Sequence, residues 1–200
     1  MGKIEKNKKE KKDALLNTAF DLFTTKGINK TSISDIVTKA GVAKGTFYLY
    51  FSDKYDIRNK LISHKASQLF YNAHAELLQS DINNAEDKVI FIVDHIINQL
   101  VKNKSLLIFI SKNLGWGVFK SALISPKDAA DINFYDVYNT LIEESNHSFR
   151  DPEIMIYSII ELVGSSCYSP ILYNEPVSIK EYKPYLFHTI RDIIKNHCID

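Results

Sequence analysis

The sequence has few of the residues on which disulfide-bonded, metal-binding and loop-repeat proteins depend. Only two cysteines, Cys167 and Cys198, occur among 200 residues, and no other metal-ligating residues cluster near either one. This scarcity excludes a disulfide framework and predicts reduced thiols and no metal site. Seven glycines and five prolines are likewise too few for a disordered or loop-repeat architecture.

A targeting signal and a clear membrane span are also missing from the sequence. The first residues, MGKIEKNKKEKKD, are basic but lack the apolar core of a secretory signal. The stretch closest to a membrane span is 154–173 (IMIYSIIELVGSSCYSPILY), which Glu161, Gly164, Pro170 and four serines interrupt. These interruptions favour a buried helix, so we expect a cytoplasmic protein.

Sequence motifs of catalysis are absent as well. The six histidines are scattered, and neither H-x-x-x-H nor G-x-S-x-G occurs. No phosphate-binding glycine loop is present, because Gly115-Trp116-Gly117 is too short to form one. We therefore predict that the protein is not an enzyme and needs no cofactor.

The charged residues are unevenly distributed along the chain. Residues 1–60 carry 13 Lys and Arg against 7 Asp and Glu, whereas the remaining residues carry 12 against 17. The near-neutral total of +1 therefore conceals a basic first third and an acidic remainder. This asymmetry indicates a head that binds a polyanion and a body with another role.

Apolar residues recur with helical spacing in nearly every segment, and no segment alternates as a strand does. The pattern predicts an all-α fold of about nine helices. Predicted helices include residues 9–26, 44–51, 54–79, 89–100, 118–124 and one from Pro126 to Ser145. Capping-box spacing marks the starts of three helices, at Ser32 with Asp35, Asp53 with Asp56, and Ser178 with Glu181.

The segment GVAKGTFYLYFSDK, Gly41–Lys54, crowds four aromatic rings into a helix of about two turns. A left-handed Gly41 would end the preceding helix and produce a helix-turn-helix unit. Three side chains would then face the core: Val42, Phe47 and Phe51. Five would remain outside: Lys44, Thr46, Tyr48, Leu49 and Tyr50. With the bare backbone at Gly45, the polar members of this outer set suit phosphates and base edges of DNA.

The run TSISDIVTKAGVAKGTFYLYFSDKYDI, residues 31–57, resembles the DNA-binding signature of the TetR/AcrR family of transcriptional regulators. The resemblance rests on A-G-V-x-K-G-T-F-Y-x-Y-F and on a lysine at the head of the following long helix. It implies a helix-turn-helix DNA-binding domain at 1–52 and a helical ligand-binding and dimerisation domain at 53–200. The motif places these residues at DNA-contact positions: Thr31, Ser32, Ala43, Lys44, Gly45, Thr46, Tyr48, Tyr50 and Lys54.

The resemblance further implies a homodimer that pairs through its last two helices and reads double-stranded DNA as a palindromic operator. Ala43 stands where the family commonly has serine. The N-terminal lysines form either a mobile arm that reaches DNA or a solvated tail. They are Lys3, Lys6, Lys8, Lys9, Lys11 and Lys12.

In this family the second domain encloses a pocket for a small, often hydrophobic effector. Residues that mix aromatic and polar character between the fourth and eighth helices are our candidates for it: His95, Phe109, Asn113, Trp116, Phe119, Tyr138, Tyr157 and Glu161. Glu161 could instead pair across the dimer. We thus expect a repressor that a ligand releases from its operator. The alternative is a regulator of the same fold controlled by a protein partner or by no ligand.

Overall fold

The computed structural model describes residues 2–113, 142, 145 and 147–199. These residues divide into two compact units, Met1–Ser63 and His64–Asp200. Across the described ranges, the β-structure is limited to an isolated bridge between Phe149 and Cys198. The predicted all-α class is therefore confirmed. The helices predicted between residues 118 and 145 lie outside the described part of the chain.

Four helices build the first unit: α1 (Lys3–Thr25), α2 (Ile33–Ala40), α3 (Lys44–Tyr48) and the first turns of α4 (Lys54–Leu77). Each turns an apolar face to one core, and burial of a Leu, Ile or Phe side chain contributes about 1.5–3 kcal/mol. The core side chains are Leu15, Leu16, Ala19, Leu22, Phe23, Ile36, Val37, Phe47, Phe51, Ile57, Leu61 and Ile62. The sequence-based division after residue 52 placed all of α4 in the second domain, whereas its first turns pack here.

Helix α1 begins at Lys3 and not near Lys9. The backbone N–H of Gly2 donates to the carboxylate of Glu5, which closes the start of the helix. Lysine and glutamate are good helix formers, so the basic run continues the helix. The run is therefore helical, whereas the sequence allowed either a mobile arm or a solvated tail. At the other end, Gly27 with φ +82° stops the helix.

Helix α2 has the predicted capping box and the predicted glycine stop. The Ser32 hydroxyl accepts the Asp35 N–H at 3.1 Å, and the Asp35 carboxylate accepts the Ser32 N–H at 2.9 Å. These bonds satisfy donors that the first turn of a helix leaves open. Gly41 ends the helix with φ +68°, a left-handed conformation that costs glycine little.

The second unit contains the remainder of α4 and α5 (Ala85–Lys102), α6 (Lys104–Asn113), α7 (Pro152–Ser166), α8 (Tyr168–Leu172) and α9 (Ile179–His197). Asn84 caps α5 by accepting the N–H of Glu86 at 2.8 Å. The α9 capping box of Ser178 and Glu181 is also confirmed. The core is mainly aliphatic and includes Leu69, Val89, Ile92, Ile97, Leu107, Met155, Ile159, Leu186, Ile190 and Ile194.

The apolar run that the sequence predicted as one helix forms two helices, α7 and α8, which meet at Cys167. Pro170 has no N–H to bond the carbonyl of Ser166, so a continuous α-helix would lose that bond. Within the described residues, Pro152–Leu172 is the one stretch long and apolar enough to cross a membrane, with a mean hydropathy of 1.3. Core helices of soluble proteins meet the same criterion, and one third of this stretch is buried.

Candidate DNA interface and apolar cavity

Helix α3 has one fully buried side and one exposed side. The Phe47 and Phe51 side chains are buried, with ring centroids 5.4 Å apart. The neighbouring Tyr48 is 52% exposed and Leu49 is 79% exposed. Phe47 and Phe51 hold α3 to the core of the first unit, while Tyr48 and Leu49 face away from it. The predicted division of the aromatic rings between two sides is thus present in the fold.

The outer side of α3 carries the polar groups that the sequence predicted for it. Ala43, Lys44 and Gly45 are exposed, while Thr46 is half-buried. Ala43 precedes α3 without any side-chain capping bond, as expected for a residue that lacks a hydroxyl. The Lys44 ammonium has no hydrogen-bond or ion-pair partner among the residues that the structure describes. Lys44 is therefore free to meet an anion.

Tyr50 is half-buried and joins two other helices. Its hydroxyl donates to the carbonyl of Lys8 in α1 at 3.2 Å. Its own carbonyl accepts a bond from the ammonium of Lys60 in α4 at 2.9 Å. Tyr50 therefore connects the end of α3 to the basic part of α1, and a DNA contact by its hydroxyl would be shared with that bond.

Ser32 is exposed at the start of α2, but its hydroxyl is engaged with Asp35 at 2.9 Å. The N–H of Ser32, and then its hydroxyl, donate to Asp35 and lower the pKa of that carboxyl below 3.8. A carboxylate at this helix terminus is also favoured by the helix dipole. Ser32 can reach DNA, although its first role in the structure is the cap.

Thr31 and Lys54, which the sequence predicted as DNA contacts, direct their polar groups to the backbone of the first unit. Thr31 is 1% exposed, and its hydroxyl donates to the carbonyl of Gly27 at 2.9 Å. The half-buried Lys54 directs its ammonium to the backbone carbonyl of Ile28 at 3.1 Å. A threonine or lysine beside a loop can face either way, and only the packed structure decides which.

An apolar cavity of about 210 Å³ lies in the second unit, between α4, α5, α6 and α7. Its wall is mainly aliphatic and includes Ala66, Leu69, Phe70, Ile92, Ile96, Ile110, Ile156, Ile159 and Val163. Four described side chains add polar atoms to the lining: Ser111, Glu161, Ser165 and Cys167. An apolar chamber with a few polar groups is the usual form of a small-molecule site.

Cys167 belongs to the buried part of this wall. Burial raises the pKa of its thiol to about 11, against smaller lowering effects of Ser166 and of the charge on Lys183. The thiol is therefore protonated at neutral pH. Among the described residues, no group of three or more His, Cys, Asp and Glu is arranged to hold a metal ion.

Comparison with known proteins supports the assignment of the first unit. Residues 15–61 match the family model of bacterial regulatory proteins of the tetR family, and they contain α2, α3 and their buried supports. This match identifies the first unit as a helix-turn-helix domain of the tetR type. Domains of this kind bind DNA and regulate transcription.

Relatives match the chain over different lengths. The uncharacterized HTH-type transcriptional regulator YvdT of Bacillus subtilis is 43% identical over 70 residues, which cover 33% of the chain and 36% of YvdT. A structure from Syntrophomonas wolfei, assigned to the TetR family, covers 94% of the chain with 22% identity and a TM-score of 0.66, over 96% of its own length.

FadR of Bacillus subtilis, solved in complex with stearoyl-CoA, shares 16% identity with a TM-score of 0.64. The match covers 88% of this chain and 96% of FadR. At such identities the likeness concerns the fold.

Of the ligand residues predicted from the sequence, only Glu161 lies among the described lining of the cavity. His95 is half-buried against the ring of Phe91, Phe109 is buried in the core, and Tyr157 is 40% exposed. The Asn113 side chain, Trp116, Phe119 and Tyr138 lie outside the described residues.

The aliphatic wall of the cavity could not be predicted from the sequence. Leu69, Ile92, Ile96 and Ile110 have the same helical spacing as core residues. Periodicity shows that a residue faces inward, but not whether another side chain meets it there. Only the three-dimensional packing therefore distinguishes the cavity wall from the rest of the core.

Proposed function

We propose that this protein belongs to the TetR family and is a cytoplasmic transcriptional repressor that binds a palindromic operator as a homodimer and is released by a small hydrophobic ligand. The two-sided α3 carries the DNA-binding part of the proposal. Its inner ring, Phe47, is fully buried, so the outward Lys44 and Tyr48 are held on a fixed support. Such a preorganised polar face suits phosphates and base edges in a groove.

The proposed DNA-binding surface consists of Ser32, Ala43, Lys44, Gly45, Thr46, Tyr48 and Tyr50. It leaves out Thr31 and Lys54, whose polar groups are used inside the unit. The basic turns of α1 extend the surface, since Lys6, Lys8, Lys9 and Lys11 are exposed there. Because these lysines lie on a helix joined to Tyr50, they add charge at a defined place and not on a free tail.

The proposed dimer uses the exposed apolar faces of α7 and α9. Ile154 and Tyr157 of α7 are 55% and 40% exposed, and Tyr185 of α9 is 72% exposed. Gly164 and Ser165 are small and exposed on the same helix as Ile154, which permits close approach of another helix. A two-fold dimer would place two copies of α3 about one DNA turn apart, roughly 34–36 Å, and so read a palindrome.

The proposed ligand occupies the aliphatic cavity. Side chains of α4, α5, α6 and α7 line one chamber, so a bound molecule would contact four helices at once. If it fits one arrangement of α4 better than another, it shifts the population by that difference in affinity. The stearoyl-CoA bound by FadR makes long acyl chains the first ligand class to test.

Fluorescence anisotropy with the protein's own upstream DNA tests the proposal. We expect salt-dependent binding to a palindrome, and a large loss of affinity in a Lys44→Ala, Tyr48→Ala double variant. Lys102→Ala, an exposed lysine of α5, is the matched control and should bind as the wild type does. Unchanged binding by the double variant would refute the assigned surface.

A thermal-shift panel of acyl-CoAs, fatty acids and cationic hydrophobic compounds tests the ligand. A true effector should raise the unfolding temperature and release DNA. Stable operator binding with no hit in the panel would favour the alternative, a regulator of the same fold that answers to a protein partner or to no ligand.

A further inference from the structure

The loop between α1 and α2, residues 27–31, has its backbone carbonyls held by two side chains. Thr31 provides the first of these. Its buried hydroxyl donates to the carbonyl of Gly27 at 2.9 Å and approaches that of Leu22 at 3.4 Å. The carbonyl of Gly27 lies beyond the end of α1 at Thr25, so its bond from Thr31 joins the two ends of the loop.

Lys54 provides the second contact, from the first position of α4. Its ammonium donates to the carbonyl of Ile28 at 3.1 Å and to those of Asn29 and Thr31 at 3.4 Å each. An ammonium has three donors and no acceptor, so three converging carbonyls use its whole capacity. Bonds to a charged donor are about twice as strong as neutral ones.

We propose that Lys54 is a positioning residue of the DNA-binding unit, which fixes the 27–31 loop and therefore the start of α2. This inference rests on the proposed DNA binding and assigns Lys54 a role other than phosphate contact. Ser32, which caps α2, directly follows the loop. A shift of the loop would therefore move α2 together with the cap.

The contrast with Lys44 supports this assignment. Both lysines belong to the matched family segment, yet Lys44 is exposed and has no partner in the described chain, whereas Lys54 is half-buried and has three. To reach a phosphate, Lys54 would first have to leave its carbonyls. Lys44 would only have to replace bound water by the phosphate.

The salt dependence of DNA binding separates the two roles. Each phosphate contact adds about 0.9 to the slope of log affinity against log salt. We expect Lys44→Met to lower the slope by about that amount per lysine lost. Lys54→Met should weaken binding while leaving the slope unchanged. A slope that falls equally in both variants would overturn the proposal.

Hydrogen exchange provides a test that needs no DNA. The Thr31 N–H bonds to the carbonyl of Ile28 inside the loop. We expect its exchange rate to rise about ten-fold or more in Lys54→Met, which corresponds to about 1.4 kcal/mol, and to be unchanged in Lys44→Met. Lys54→Arg, which keeps several donors, should retain much of the protection. Equal protection in wild type and Lys54→Met would also overturn the proposal.

Lysine ammonium NMR on the wild-type protein covers the case in which Lys54→Met does not fold. If Lys54 is bonded to the loop carbonyls, its ammonium hydrogens should exchange slowly with water in both the free and the DNA-bound protein. The exchange of the Lys44 ammonium should slow only when DNA is bound. If the exchange of the Lys54 ammonium slows only when DNA is bound, Lys54 contacts phosphate and the positioning role is wrong. If Lys54 is protected in the free protein but no DNA binds, the positioning of the loop holds and the proposed function fails.

Discussion

Lys183 lies 2.6 Å from a carboxylate oxygen of Asp94, so α9 is joined to α5 by an ion pair. The same ammonium donates to the side-chain oxygen of Asn98 at 2.6 Å. The Lys183 side chain is only 18% exposed, which protects the pair from screening by salt. A second ion pair joins Arg191 to Asp87 at 2.7 Å. Its side chains are more exposed, 41% for Arg191 and 48% for Asp87.

This difference in exposure predicts unequal effects of removing the two cations. Lys183→Met should destabilise the second unit by about 1–2 kcal/mol, because it leaves the partly desolvated Asp94 carboxylate without its cationic partner. Arg191→Met should cost at most about 1 kcal/mol. Urea unfolding of the two variants measures the difference. Equal losses in both would show that exposure does not govern these pairs.

The neighbouring aromatic residues Phe47 and Tyr48 should differ sharply when each is replaced by alanine. Phe47→Ala empties a fully buried position and should cost about 3–5 kcal/mol, enough to unfold the first unit in part. Tyr48→Ala should change stability by about 0.5 kcal/mol or less, because the ring is half-exposed. Its effect should appear in operator affinity.

Circular dichroism melting and DNA anisotropy on the same samples separate these outcomes. If the Tyr48→Ala protein melts early and the Phe47→Ala protein melts normally, then Tyr48 and not Phe47 is the buried ring of α3.

The sequence predicted the first unit well because its structure follows local rules. The spacing of Ser32 and Asp35 defines a cap, and a glycine after a helix defines a stop, whatever the rest of the chain does. Thr31 and Lys54 could not be assigned in this way. They are 23 residues apart, and their roles depend on how α4 packs beside the loop.

The cavity was predicted to exist but its wall was not. Aromatic and polar residues were chosen as ligand contacts because they stand out in a sequence, whereas Leu69 and Ile92 do not. Whether an inward aliphatic side chain meets a neighbour or an empty space is a matter of packing at the scale of one methyl group. Residue patterns carry no such information.

Cys167 should be far less reactive than an ordinary surface thiol. Its pKa of about 11, raised by burial from 9.0, leaves about 100-fold less thiolate at pH 8, and the thiolate is the nucleophile. In Cys198→Ser, alkylation of Cys167 by iodoacetamide should be slow and should accelerate as the pH rises toward 11. Rapid modification at pH 8 would mean that the cavity wall opens readily.

Ser32 should control the titration of Asp35. The Ser32 N–H and hydroxyl lower the pKa of Asp35 in the folded state below the ordinary value of 3.8. The resulting stabilisation is therefore fully present at neutral pH and is lost as the pH falls through the folded-state pKa. Ser32→Ala should move the pKa back toward 3.8, as measured from the carboxyl carbon shift by NMR. An unchanged titration would show that the Ser32 hydroxyl does not lower the pKa of Asp35.

Gly41 and Gly45 should respond in opposite ways to alanine. A Cβ on either residue meets no atom within 4 Å, so the difference lies in the backbone. Gly41 has φ +68°, and a side chain in that conformation costs roughly 1–2 kcal/mol. Gly45 lies within α3, where alanine should stabilise the fold by up to about 1 kcal/mol.

The effect of Gly45→Ala on DNA affinity should oppose its effect on stability. A methyl group on the outer side of α3 would stand where the DNA backbone approaches closely, so we expect operator binding to weaken by about ten-fold, or about 1.4 kcal/mol. Melting temperature and anisotropy should then change in opposite directions. If Gly45→Ala binds the operator as tightly as the wild type does, the bare backbone is not a point of close approach, and the contact must be made by the side chains of Lys44 and Tyr48.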